Sequence, residues 1–210
     1  MSFFSNLFKK RPTLDPEMFG DNVAFKTNWH PLKHGGSNFK THKLVFEENG
    51  DVSFKPSLGI YLGPIILVGF AVTFFAVIWN NGAFQNSKFP LLFAIIPFGL
   101  AFYMLFINLK HRVFSPVNGV YYRGKKPESG DTVSDKNYAL LADIHALQLI
   151  RERVRSSKSS YTSYELNLVL KNGHRVNVVD HGNLNSIRND TKKLAEFLQV
   201  PVWDAIDYRV

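Results

Sequence analysis

Two long apolar runs dominate the chain. Residues 58–79 (LGIYLGPIILVGFAVTFFAVIW) and residues 89–109 (FPLLFAIIPFGLAFYMLFINL) contain no charged side chain. About 20 apolar residues, rising 1.5 Å each, cross the hydrocarbon core of a bilayer. The pattern therefore predicts two transmembrane helices. A chain of 210 residues can hardly bury two helices that are apolar on every side. The first run starts far from the N-terminus and no A-x-A-like site closes it, so it does not read as a signal peptide. The short link over residues 80–88 folds the two spans into an antiparallel hairpin.

Alternating patterns flank this hairpin. In residues 42–55, Leu44 and Phe46 alternate with Val45 and Glu47, Asn49-Gly50 signals a turn, and Val52 and Phe54 resume the alternation. This predicts a β-hairpin running almost directly into the first span. Residues 112–123 read as two short strands around Pro116, Asn118 and Gly119, and residues 124–137 as a polar loop. Residues 140–155 fit two periods. Leu140, Ile144, Leu147 and Val154 make a helical stripe, whereas Ile144, Ala146, Gln148, Ile150, Glu152 and Val154 make one face of a strand. The clearest β pattern follows: Tyr164, Leu166, Leu168 and Leu170, a turn at Asn172-Gly173, then Val176 and Val178. An amphipathic helix over residues 184–199 closes the chain. Leu184, Ile187, Thr191, Leu194, Ala195 and Leu198 share its apolar face, Asn183 or Asn185 caps it, and Val200-Pro201 stops it. Trp203 is expected to pack back on the domain.

The N-terminal arm is less regular. Phe3, Phe4, Leu7 and Phe8 at helical spacing, followed by Lys9, Lys10 and Arg11, suit a short helix on an anionic membrane surface as well as a plain tail. Residues 19–41 look irregular. The expected organisation is thus an arm over 1–41, a β-hairpin over 42–57, the two-helix hairpin over 58–109 and a β domain over 110–210.

Charge orients the spans. Lys and Arg total 25 against 17 Asp and Glu, a net charge of +8. Eight basic residues precede the first span, only Lys88 lies in the link, and Lys110, Arg112, Arg123, Lys125 and Lys126 follow the second. The positive-inside rule then puts both termini in the cytoplasm of a multi-pass protein in the cytoplasmic (inner) membrane. Lys110, His111 and Arg112 are expected at headgroup level. The spans hold no ionisable side chain, which argues against a pump or proton-coupled transporter. Gly59 and Gly63 form a G-x-x-x-G suited to close helix packing, and Pro97 is expected to kink the second span. The chain has no cysteine, which excludes a disulfide scaffold, a cysteine nucleophile and thiolate metal sites.

Catalytic signatures are missing: no phosphate-binding glycine loop, nucleophile elbow or zinc-binding H-E-x-x-H is present. Asp180-His181-Gly182 is the most suggestive trio. Neighbours on a strand point to opposite faces, however, so Asp180 reads as ending the strand rather than orienting His181 as a base. His145 and His174 read as accommodated within strands. His30, His34 and His42 lack a helix that would bring them together and an acidic partner, so no metal site or cofactor is assigned. Arg151, Arg153 and Arg155 alternate along one strand face. That face suits a phosphate or anionic lipid, or equally a solvated edge that discourages aggregation. Nucleic acid is not an expected partner, since aromatic residues hardly interleave with the basic ones.

The run Ala142-Asp143-Ile144-His145-Ala146-Leu147-Gln148-Leu149-Ile150, the hairpin over 164–179 and the helix ending Leu194-Ala195-Glu196-Phe197-Leu198 together resemble bacterial membrane proteins that carry a PH-like domain beside two transmembrane helices. The resemblance spans about residues 112–203 and includes no catalytic motif. It implies that 143–155 is a strand, and that the fold is an α+β membrane protein: a helical hairpin plus a PH-like antiparallel β domain with a C-terminal helix. Residues 112–203 offer fewer strands than such a barrel needs, and the 42–55 hairpin is the candidate for the missing edge. The expected function is non-enzymatic: a domain at the membrane surface that binds a protein partner or anionic lipid headgroups through Arg151, Arg153, Arg155, Lys110 and Arg112. The rival readings are an accessory subunit of a larger membrane complex, an immunity protein that neutralises a toxin, or an enzyme using Asp180, His181 or the histidines of residues 30–42. A second copy of the chain is a further candidate partner.

Overall fold

A computed structural model describes residues 11–82, 90–127, 136–155, 157 and 159–210. The amphipathic pattern of residues 3–8 and most of the link between the apolar runs lie outside the described residues.

The first hairpin forms as the alternation predicts. Strands β1 (His42–Phe46) and β2 (Val52–Pro56) pair antiparallel with Leu44 opposite Phe54. Gly50 takes the left-handed conformation of the turn at φ 83°, and the Asn49 side chain accepts from the Asp51 amide at 3.0 Å. The chain then leaves the sheet. Helix α2 (Gly59–Asn80) is followed by α3 (Pro90–Asn108), which runs back along it: Gly63 lies beside Met104, and the Phe74 and Phe93 rings meet at 6.2 Å, tilted by 58°. Strands β3 (Arg112–Ser115), β4 (Val120–Arg123) and β5 (Tyr138–Leu140) then complete a five-stranded antiparallel sheet in the order β1-β2-β3-β4-β5. Because Val52 pairs with Phe114, the two helices are an excursion between neighbouring strands of one sheet.

Among the described residues one helix, α2, is long and apolar enough to cross a membrane, with 22 residues and a mean hydropathy of 2.3. The apolar part of α3 measured on described residues, Ile95–Asn108, is shorter. Ile60, Pro64 and Ala71 of α2 are buried, whereas Leu62, Ile66, Phe70, Val72 and Val77 project from the rest of its surface. Such all-round exposure of large apolar side chains suits lipid, not water.

The second sheet comprises β6 (Ile144–Arg155), β7 (Ser160–Leu170), β8 (Arg175–His181) and the short β9 (Val202–Asp204), in the order β8-β7-β6-β9. The β9 strand runs parallel to β6 and the other pairs are antiparallel. Residues 144–155 are thus a strand. Its period was blurred because both faces are covered. Leu147 and Leu149 face Phe54, Phe114 and Tyr121 of the first sheet, while Ala146 and Ile150 pack on the other side. Helix α4 (Leu184–Leu198) closes the first core with Ile187 and Leu194. Asn183 caps it by accepting from the Ser186 amide at 2.9 Å, and it ends where Gln199 turns left-handed at φ 56°.

The arm that looked irregular covers the outer face of the second sheet. Asp21 caps a single-turn helix α1 (Asn22–Lys26), accepting from the Val23 amide at 2.8 Å. Phe19 stacks on Trp29 at 4.9 Å, and both lie 5.8 Å from Trp203. Trp29 donates its ring N–H to the Ala24 carbonyl at 3.1 Å. Trp203 does pack back on the domain, between the arm and the sheet. Further along, residues 38–39 pass so close to Gly182 that any side chain there would collide with the Asn38 backbone. Replacing buried Trp29 with alanine is expected to cost about 3 kcal/mol of stability, whereas alanine at exposed Phe25 is expected to cost almost nothing. Melting of the detergent-purified chain measures both. Equal melting of the Trp29→Ala and parent chains would show that the arm does not belong to this core.

Candidate membrane-proximal site

The helices enter the sheet at the end marked by His42, Pro56 and Arg112, and β8 runs across that end. Arg112 Nε donates to the Val178 carbonyl at 2.7 Å, Thr41 Oγ1 donates to the Asp180 carbonyl at 2.7 Å, and the Gly182 amide donates to Phe39 O at 3.0 Å. The root of the helices is therefore bolted to the second sheet through side chains as well as the backbone.

Arg112 does not lie at headgroup level as its position in the sequence suggests. It is only 4% exposed and its guanidinium is committed to the Val178 and Lys110 carbonyls and to His42 Nε2 at 2.5 Å. A guanidinium has no acceptor, so His42 Nε2 carries the lone pair and Nδ1–H donates to Thr41 Oγ1 at 2.9 Å. Burial, then the Arg112 charge, push the His42 pKa down to about 3, and burial lowers Arg112 to about 10. Lys110 is exposed, with its ammonium 5.5 Å from the centre of the Phe106 ring. The two glycines also part company. A side chain at Gly63 would meet Met104 of α3, but one at Gly59 would meet the Phe39 ring and the Lys40 carbonyl of the arm. Only Gly63 serves helix–helix packing.

Arg151, Arg153 and Arg155 do share one face of β6, across from Tyr164, Thr162 and Ser160. Arg151 is half-buried and donates to Thr162 Oγ1 at 3.2 Å, and Arg153 donates to Ser160 Oγ at 3.3 Å. Burial, then the nearby Arg11 charge, lower the Arg151 pKa. The opposite face of β6 holds the arm. Glu152 accepts from the Gly35 and Gly36 amides and stands 3.3 Å from His34 Nδ1. His34 thus does have an acidic neighbour, which the sequence reading denied it. His30, His34 and His42 are not gathered, and no group of three metal-ligating side chains occurs among the described residues.

Beneath residues 28–36 runs a buried polar layer. Glu165, only 2% exposed, accepts from the Leu32 and Lys33 amides at 2.9 and 2.8 Å and from Asn167 at 2.5 Å. Asn177 Nδ2 donates to Asp180 Oδ1 at 3.2 Å, and Arg175 donates to the His30 carbonyl and to Gln148. Burial, then the Glu165 charge, raise the Asp180 pKa to about 7, with Lys33 opposing. Asp180 is the penultimate residue of β8, at the end that leads into α4, and its partner is Asn177 rather than His181. His181 is fully buried, accepts from the Asn183 amide at Nδ1, and is held neutral by burial with a pKa near 4. Glu165 sits at the polar beat of an alternating strand, which looks the same whether that face meets water or a covering segment, and Glu152 is a polar residue on the mostly apolar beat of β6, where nothing local marks the arm amides it accepts from.

The buried acid has a pH signature. Asp180 holds its proton in the fold up to about pH 7 but ionises near pH 3.8 when unfolded. Its contribution is therefore present below about pH 3.8 and is lost as pH rises through 7. Asp180→Asn removes that loss. The variant is expected to melt higher than the parent by a larger margin at pH 8 than at pH 5, while His42 and His181 affect both proteins alike. A margin independent of pH would refute the buried-acid assignment. Comparison of the chain with family models, with curated proteins and with solved structures finds no match.

Proposed function

We propose that this is a non-enzymatic protein of the cytoplasmic membrane, in which α2 and α3 both cross the bilayer and a PH-like β domain is presented on the cytoplasmic side to bind a protein partner or anionic lipid headgroups. The observation that carries this reading is the site of the helical excursion. Both connections to the helices arise from adjacent, paired strands, with Ser53 opposite Val113, so the domain is tied to the membrane surface at two points of one rigid sheet. A single flexible tether would leave it free to tumble; two short junctions hold one face toward the lipid. The basic residues before α2 and after α3 support a cytoplasmic domain. The row Arg151, Arg153 and Arg155 is the surface offered to an acidic partner.

The absence of cysteine makes the topology directly testable. In intact cells a membrane-impermeant thiol reagent is expected to label Asn81→Cys, at the far end of α2, and to spare Ser157→Cys. Labelling of Ser157→Cys in intact cells, or recovery of the chain in the soluble fraction, would overturn the two-span topology. For binding, the chain retained in mild detergent is expected to hold its partner or anionic lipid at low salt. Replacing the three arginines with glutamine is expected to weaken that retention by about tenfold or more. Retention indifferent to both salt and the substitutions would remove the arginine face from the function.

A further inference from the structure

A cleft of about 920 Å³ opens where the ends of β4 and β5 meet the turn between β7 and β8. Its size is that of a small-ligand site. Five of its lining residues, Lys33, Arg123, Lys136, His174 and Arg175, are basic types, and Asp143 is the one acid among them. The arrangement of the arginines is costly as it stands. Arg123 lies directly across the strand pair from Arg112, and cross-strand like charges destabilise a sheet. The acceptors of Arg112 are two backbone carbonyls and a neutral imidazole. Those of Arg175 are the His30 carbonyl and the Gln148 amide. Among the described residues, no carboxylate hydrogen-bonds to Arg112, Arg123 or Arg175. Two guanidiniums, those of Arg123 and Arg175, thus line one concavity, with the buried Arg112 paired across the strands from Arg123, and an anion supplies the counter-charge.

The location narrows the anion. Strand β3 begins four residues after the last residue of α3, and the Gly124 amide beside Arg123 donates to the His111 carbonyl at 2.8 Å. At about 3.3 Å per residue, the cleft's Arg123 wall lies within about 13 Å of the helix end. We infer that the cleft binds a phosphate ester, and that its source is the headgroup of an anionic phospholipid. Arg123 and Arg175 donate to the phosphate oxygens, and Lys33 adds charge at the rim. This inference rests on the membrane-anchored reading for the source of the ligand, but its site is separate from the Arg151, Arg153 and Arg155 face.

The test uses the full chain in uncharged detergent, with short-chain phosphatidylglycerol, short-chain phosphatidylcholine and inorganic phosphate as probes and tryptophan fluorescence as readout. Phosphatidylglycerol is expected to bind saturably and phosphatidylcholine not to. Arg123→Gln is expected to weaken binding about tenfold, Lys33→Gln to weaken it less, and Lys192→Gln on exposed α4 to leave it unchanged. Lys33→Gln covers the case in which Arg123→Gln fails to fold. Inorganic phosphate that saturates the same site, with the same dependence on Arg123, and competes with the lipid would uphold the anion site and move its source to solution. The inference is overturned if neither phosphate probe binds saturably, if binding ignores Arg123 and Lys33, or if it is lost only when Arg151, Arg153 and Arg155 are replaced. Failure of the membrane reading would look different: a soluble chain that still bound inorganic phosphate through Arg123.

Discussion

The pairing of β2 with β3 is the constraint on which the rest of the molecule depends. Each strand is joined within a few residues to an apolar helix, so the backbone ladder between them also holds the feet of α2 and α3 together. Closing a sheet around so long an excursion costs loop entropy, but that cost grows only slowly with length. Packing of α2 against α3 offsets part of it, and the hydrophobic contacts of Phe54 and Phe114 offset more. Once the feet are fixed, Arg112 and His42 fall at the same level, and both turn inward rather than toward lipid.

The burial of those two groups explains the chemistry of the junction. Among the described residues Arg112 is a buried cation without a salt bridge, a costly state unless its N–H groups find acceptors. It is satisfied by carbonyls and by His42, which must stay neutral to accept. The Thr41 hydroxyl passes the chain of hydrogen bonds on to the Asp180 carbonyl in β8. One relay thus ties the first sheet, the arm and the second sheet to the base of the helices. The second buried layer, from Gln148 through Asn167 and Asn177 to Asp180, with Glu165 bonded to Asn167, fastens the arm in a similar way, since the Glu165 carboxylate accepts two arm amides at once. Buried polar networks of this kind specify one arrangement of segments, because a displaced segment leaves a charge unpaired.

Much of this molecule was legible in its sequence. Apolar run length determined the helices, because 22 uncharged residues have few alternatives to a buried or lipid-embedded helix. Turn chemistry determined the hairpins at Asn49-Gly50 and Asn172-Gly173, and the 3.6-residue stripe with its Asn183 cap determined α4. All of these are local effects, encoded within a few residues of where they act. Only the tertiary structure decided what covers what. A strand with polar residues at alternate positions does not record whether water or another segment meets them, so nothing in the pattern shows that the arm buries Glu165, Asn167 and Gln148. Arg112 looked interfacial from its distance to the apolar run, yet pairing with β2 and β4 turned it inward. Gly59 and Gly63 shared a motif but met different neighbours. The cleft around Arg123 and Arg175 joins residues more than fifty positions apart, a juxtaposition that no local pattern carries and that the crossing of the two sheets creates.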